Sequence, residues 1–115
     1  MKKFALVTGA SSGIGLQICH SLAKRGFNII LTSRSENTLK IISEKISSKY
    51  AVEATYFPCD LADKQGPQNI FNFCESKNYQ VDVLVNNAGY ALPNSFEKNS
   101  IEDEENCIRV LGTSV

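Results

Sequence analysis

Thr8-Gly9-Ala10-Ser11-Ser12-Gly13-Ile14-Gly15 stands between an unbroken apolar run, Phe4-Ala5-Leu6-Val7, and a stretch whose apolar residues recur at helical spacing. A run of that kind, ended by Thr8-Gly9, is the pattern of a strand buried on both faces. From Gly13 onward Ile14, Ile18 and Leu22 repeat every four positions with Leu16 and Ala23 beside them, and Lys24-Arg25-Gly26 closes the helix with cations and a glycine stop. The glycines between strand and helix keep side chains off the backbone. Gly9 permits a tight turn off the strand, while Gly13 and Gly15 bring helix and backbone close to whatever the turn receives. Bare N–H groups and the positive end of a helix suit a pyrophosphate there, and the hydroxyls of Ser11 and Ser12 can add donors.

The alternation continues along the chain. Asn28 to Thr32 reads as a second strand, and Leu39, Ile42 and Ile46 mark a second helix with Ser35 as its cap. Val52 to Phe57 reads as a third strand closed by Pro58. Asp60 or Asp63 is expected to cap a third helix carrying Ile70, Phe71 and Cys74, with Gly66-Pro67 in its first turn, where proline does least harm. Val81 to Val85 makes a fourth strand running into Asn86-Asn87-Ala88-Gly89, and from about Ser100 a fourth helix follows with Ile101, Ile108 and Leu111 on one face. This β-α-β-α-β-α-β-α order demands a parallel sheet in one α/β domain over residues 1–115, cut short after about four strands.

Hydrophobic residues make up 43% of the chain and charged residues 21%, with a formal net charge of +0, the balance of a folded globular chain. No Lys/Arg run extends beyond Lys2-Lys3 and Lys24-Arg25, so the basic stripe of a nucleic-acid binder is missing. Cys19, Cys59, Cys74 and Cys107 lie far apart with His20 as the one histidine. Neither a metal site nor a disulfide framework is expected from that spacing, and free thiols in a reducing cytosol are. The N-terminal apolar run is too short for a signal peptide or a membrane span, so the expectation is a cytoplasmic chain with no membrane partner. Glu102-Asp103-Glu104-Glu105 point around a helix and read as a solvated face.

The variant spacing of Thr8 to Gly15, with Asp60-Leu61 after the third strand and Asn86-Asn87-Ala88-Gly89 after the fourth, closely resembles the short-chain dehydrogenase/reductase family. The resemblance covers essentially the whole chain and the first half of the family's domain. It implies a Rossmann-type doubly wound parallel sheet in the order 3-2-1-4 and a nicotinamide dinucleotide at its strand ends. By that resemblance Gly9, Ser11, Ser12, Gly13, Ile14 and Gly15 wrap the pyrophosphate. Asp60 accepts a hydrogen bond from the adenine amino group, and Leu61 supplies a backbone contact. Asn86, Ala88 and Gly89 line the adenosine ribose and nicotinamide side, and Asn87 braces the strands.

The second strand runs out through Leu31-Thr32-Ser33-Arg34. An acidic residue there would grip a free ribose 2′-hydroxyl. Arg34 stands instead, and a guanidinium pairs in bidentate fashion with a 2′-phosphate, which predicts NADP(H) over NAD(H).

The family's chemistry rests on a serine of the fifth strand and a tyrosine in Tyr-x-x-x-Lys. Four positions after Tyr50, Tyr56, Tyr79 and Tyr90 stand Ala54, Asp60, Val83 and Asn94, and no fifth strand is present. Arg109 occupies the place, three residues before Gly112, where the family usually has an asparagine. No catalytic residue is therefore assigned, and the expectation is an NADP(H)-dependent oxidoreductase seen as a truncated chain, inactive alone. Two alternatives stand beside it: a non-catalytic dinucleotide-binding module, and half of a split enzyme completed by another chain. An apolar fourth strand left at the sheet edge predicts self-association.

Overall fold

The computed structural model describes residues 2–11 and 13–87. Strands β1 (Lys2–Thr8), β2 (Asn28–Thr32), β3 (Ala54–Tyr56) and β4 (Tyr79–Val85) alternate with helices α1 (Gly13–Lys24), α2 (Glu36–Tyr50) and α3 (Gly66–Ser76). All strand pairs are parallel, in the order β3-β2-β1-β4. This is the doubly wound sheet and the order expected. The fourth helix, Tyr90, Cys107, Arg109 and the acidic run Glu102 to Glu105 lie outside the described residues.

Side-chain alternation builds two cores. Ala5 and Val7 of β1 and Ile29 and Leu31 of β2 face α1 and α2, while Phe4, Leu6 and Ile30 face Ile70 and Cys74 of α3. Every one of these strand residues is fully shielded, which is why β1 and β2 read as continuous apolar runs. Burying a Leu, Ile or Phe side chain contributes about 1.5–3 kcal/mol, so these strands hold the sheet centre. The charged residue of β4, Asp82, sits in a register shift: Phe4 pairs with Val81 but Ala5 with Val83. The shift re-aims the strand, so Val83 and Val85 join one core while Val81 and Leu84 join the other.

Several local expectations are corrected. The buried stripe of α1 is Gly15, Cys19 and Ala23, not Ile14, Ile18 and Leu22. Ile14 is 65% exposed, and Ile18 and Leu22 pack on the flanks. Small residues at i, i+4 and i+8 let the helix approach the sheet more closely than large aliphatics would. Strand β3 covers Ala54–Tyr56 rather than Val52 to Phe57. Its start is lost to the turn after α2, where Ala51 is left-handed (φ 57°) and the Ser47 hydroxyl donates to the Val52 carbonyl. Ser35 does occupy the N-cap position of α2, yet its side chain makes no capping bond. Its amide instead donates to the Ser33 hydroxyl. Neither Asp60 nor Asp63 caps α3, whose N-cap residue is Gln65. Both carboxylates close local turns, accepting the amides of Ala62 (2.9 Å) and Gln65 (3.1 Å). Proline 67 lies in the first turn of α3, as its chemistry required.

Among the described residues no helix is long and apolar enough to cross a membrane.

Candidate functional site

The C-terminal ends of the strands carry a cleft of about 310 Å³. Its walls come from three exits: Gly9 and Ser11 after β1, Ser33, Arg34 and Ser35 after β2, and Cys59, Asp60 and Leu61 after β3. Thr32, the last residue of β2, and Asn87, just past β4, complete the lining. Of the lining residues, Arg34 is the cation and Asp60 the carboxylate. The sheet reverses its strand order beside β1, and ligands of open α/β sheets bind outside the strand ends at such a switch point.

The turn after β1 is shaped by what it excludes. Gly9 has φ +61°, and a Cβ added to it would sit 2.8 Å from the Asn87 amide nitrogen. A Cβ on Gly15 would run into the Gly9 carbonyl oxygen and approach the same nitrogen to 2.8 Å. Glycine is required at Gly9 for its backbone angle and at Gly15 for space, because there a Cβ would meet the Gly9 backbone. Asn87 fills the room so left: its Nδ2 donates to the Gly9 carbonyl at 3.2 Å. This bond ties the end of β4 to the glycine turn after β1.

Hydrogen bonds tie the remaining exits to one another. The Thr8 hydroxyl lies 3.3 Å from the Val85 carbonyl and 3.3 Å from the Asn86 side-chain oxygen, joining β1 to β4. The Ala10 amide donates to the Thr32 carbonyl at 3.2 Å, joining the glycine turn to β2. On the far side the Cys59 amide donates to the Ser33 carbonyl at 2.8 Å. The cleft is therefore framed by fixed chain segments across all four strands.

The residues predicted from sequence divide accordingly. Gly9, Ser11, Arg34, Asp60 and Leu61 line one cleft. Leu61 is 7% exposed and packs in the core with Ile70 and Cys74 of α3. Gly15 supports the turn from behind, while Gly13 (φ +64°) and Ile14 stand exposed at the start of α1. Asn86 faces Thr8. Ser12, Ala88 and Gly89 lie outside the described residues. Sequence reasoning named Ser33 beside Arg34 without giving it a role, and missed Ser35, Thr32 and Cys59 as lining residues. The signal for Thr32 was present, as one hydroxyl at the end of an otherwise apolar strand.

The Cys59 thiol donates to the Gly66 carbonyl at 3.3 Å. Burial, and then the charges of Asp60 and Asp63, raise its pKa above the ordinary thiol value. Among the described residues no group of three or more His, Cys, Asp or Glu side chains is placed to hold a metal ion. The helix-borne His20 bonds across to α2, its Nδ1 3.0 Å from the Tyr50 hydroxyl.

A parallel sheet in this order, with a glycine turn under a cleft at its switch point, defines a Rossmann-type α/β protein. The family model described as short chain dehydrogenase matches residues 3–115. A very-long-chain 3-oxoacyl-CoA reductase of Candida glabrata is 31% identical over 115 residues, covering 96% of this chain and 32% of the relative. The L-sorbose reductase of Gluconobacter frateurii, solved with NADPH and L-sorbose, is 28% identical with a TM-score of 0.72, covering 98% of this chain and 46% of that one. An alcohol dehydrogenase of Thermococcus sibiricus, solved with 5-hydroxy-NADP, is 26% identical with a TM-score of 0.72, covering 99% and 52%. The chain belongs to the short-chain dehydrogenase family, and it spans between a third and about half of the length of these relatives.

Proposed function

We propose that this chain is the cofactor-binding part of an NADP(H)-dependent oxidoreductase. The single observation that carries the reading is the convergence of Gly9, Arg34 and Asp60 on one cleft at the strand ends. The glycine turn receives the pyrophosphate, Asp60 accepts from the adenine amino group, and the Ser33-Arg34-Ser35 segment receives the ribose 2′-phosphate. Ser33, Arg34 and Ser35 all line the cleft, and a guanidinium with neighbouring hydroxyl donors suits a phosphate dianion. Both solved relatives named above carry a phosphorylated nicotinamide dinucleotide in their crystals, which supports the same choice here. When bound, the nicotinamide supplies hydride chemistry.

None of the 115 residues forms a Tyr-x-x-x-Lys. The part we assign to these residues is therefore binding and orientation, and proton transfer to a substrate carbonyl is left to residues other than these.

Titration of the chain with NADPH and NADH, followed by cofactor fluorescence, tests the assignment. NADPH binds more tightly than NADH, and Arg34→Ala weakens NADPH by roughly tenfold while leaving NADH unchanged. Equal affinities that ignore Arg34→Ala defeat the 2′-phosphate assignment.

A further inference from the structure

Strand β2 is apolar from Ile29 to Leu31 and then ends in Thr32, which is 0% exposed. Valine would fill that place with the same branched shape, and a buried hydroxyl is costly unless it is bonded. The Thr32 hydroxyl donates to the Phe57 carbonyl at 2.7 Å. Phe57 is the first residue past β3, and its ladder with β2 ends at the Leu31–Tyr56 pair. The backbone of Thr32 works in the opposite direction, its carbonyl accepting the Ala10 amide. One residue thus touches both the glycine turn on one side and the β3 exit on the other. Past Phe57 the chain leads directly to Cys59 and Asp60. The Phe57 ring packs on Phe73 of α3 with centroids 4.7 Å apart, so this exit is held from two sides.

We propose that Thr32 is a positioning residue for the dinucleotide, whose hydroxyl sets the distance between the Asp60 wall and the Arg34 side of the cleft. The proposal rests on the reading of the cleft given above. Two backbone bonds hold the same exit, from the Phe57 amide to the Leu31 carbonyl at 3.0 Å and from the Cys59 amide to the Ser33 carbonyl at 2.8 Å. Without the hydroxyl the Phe57 carbonyl between them loses its side-chain donor, and the Asp60-Leu61 segment adjusts against Ser33-Arg34 about those two bonds. Adenosine recognition then weakens although the group removed is a buried hydroxyl whose hydrogen is directed at the Phe57 carbonyl.

NADPH titration of the chain, as wild type, Thr32→Val, Thr32→Ser, Asp60→Ala and the Thr32→Val/Asp60→Ala pair, tests it. Thr32→Val weakens NADPH about fivefold to tenfold, and Thr32→Ser stays within about twofold of wild type. In the Asp60→Ala background Thr32→Val costs no further affinity, because the wall it positions has lost its acceptor. A threonine that served stability alone would lower Tm and leave the two losses independent. Independent losses, or a serine variant as weak as the valine one, overturn the proposal. Should Thr32→Val fail to fold, Thr32→Ala removes the same donor without added bulk and enters the cycle in its place. If Asp60→Ala and Arg34→Ala both leave NADPH binding intact, the reading of the cleft fails and takes this proposal with it. If Asp60→Ala weakens binding but Thr32→Val does not, only this proposal fails.

Discussion

Gly13 and Gly15 share one motif but answer to different physics. Gly13 has a positive φ and open space around its missing Cβ. Gly15 has its Cβ position filled by the Gly9 carbonyl and the Asn87 amide. Gly13→Ala therefore costs backbone strain of about 1–2 kcal/mol and little else. Gly15→Ala must push α1 away from the turn, costing about 2–3 kcal/mol and, with the turn distorted, at least a tenfold loss of NADPH affinity. Denaturant melts and titrations of the two variants separate these effects. The glycines were legible because their spacing alone marks a close approach. The contacts of Asn87 and Thr32 were not, because each depends on a partner 78 or 25 positions away in sequence.

Helix α1 shows how periodicity can find an element and still misplace its buried side. Ile14, Ile18 and Leu22 form a correct helical repeat, yet the residues facing the sheet are the small ones one position along. Hydrophobicity ranks isoleucine above alanine or glycine, whereas close packing against a sheet rewards small volume. Two substitutions test this directly. Ala23→Leu inserts bulk into a site that is 1% exposed and destabilises the protein by about 1–3 kcal/mol. Ile14→Lys stays within about 0.5 kcal/mol of wild type. Chemical denaturation reads both, and the reverse ranking would restore the large-residue face. The strands were easier to read than the helix faces. In β1 and β2 both sides are covered, so nothing interrupts the apolar run. In β3 the pairing lasts three residues, too short for any pattern to fix its ends.

The two thiols buried in opposite cores link the fold's stability to pH. Burial pushes Cys19 up to about 12, and burial together with the Glu75 charge does the same for Cys74, from an ordinary value of 9.0. Below pH 9 both thiols are protonated whether the chain is folded or not, and they impose no cost. Above it the unfolded chain releases protons that the folded chain retains, so folding stability falls until the folded pKa is reached. The slope is roughly 1.4 kcal/mol per pH unit for each thiol. Melting curves between pH 8 and about 10.5 are expected to show this decline, and Cys19→Ala to flatten it in part while lowering stability at neutral pH. An unchanged slope in that variant rules the thiol out as the source.

The hydrogen bond between Asn87 and Gly9 spans 78 residues of chain. Closing so large a loop is entropically slow, and the N-terminal turn cannot reach its final form until β4 has docked beside β1. On a ribosome, the glycine turn emerges early and is finished late. Under the proposed function, dinucleotide capture thereby becomes a report on assembly: only a chain whose far strand has found its place offers a completed receptor.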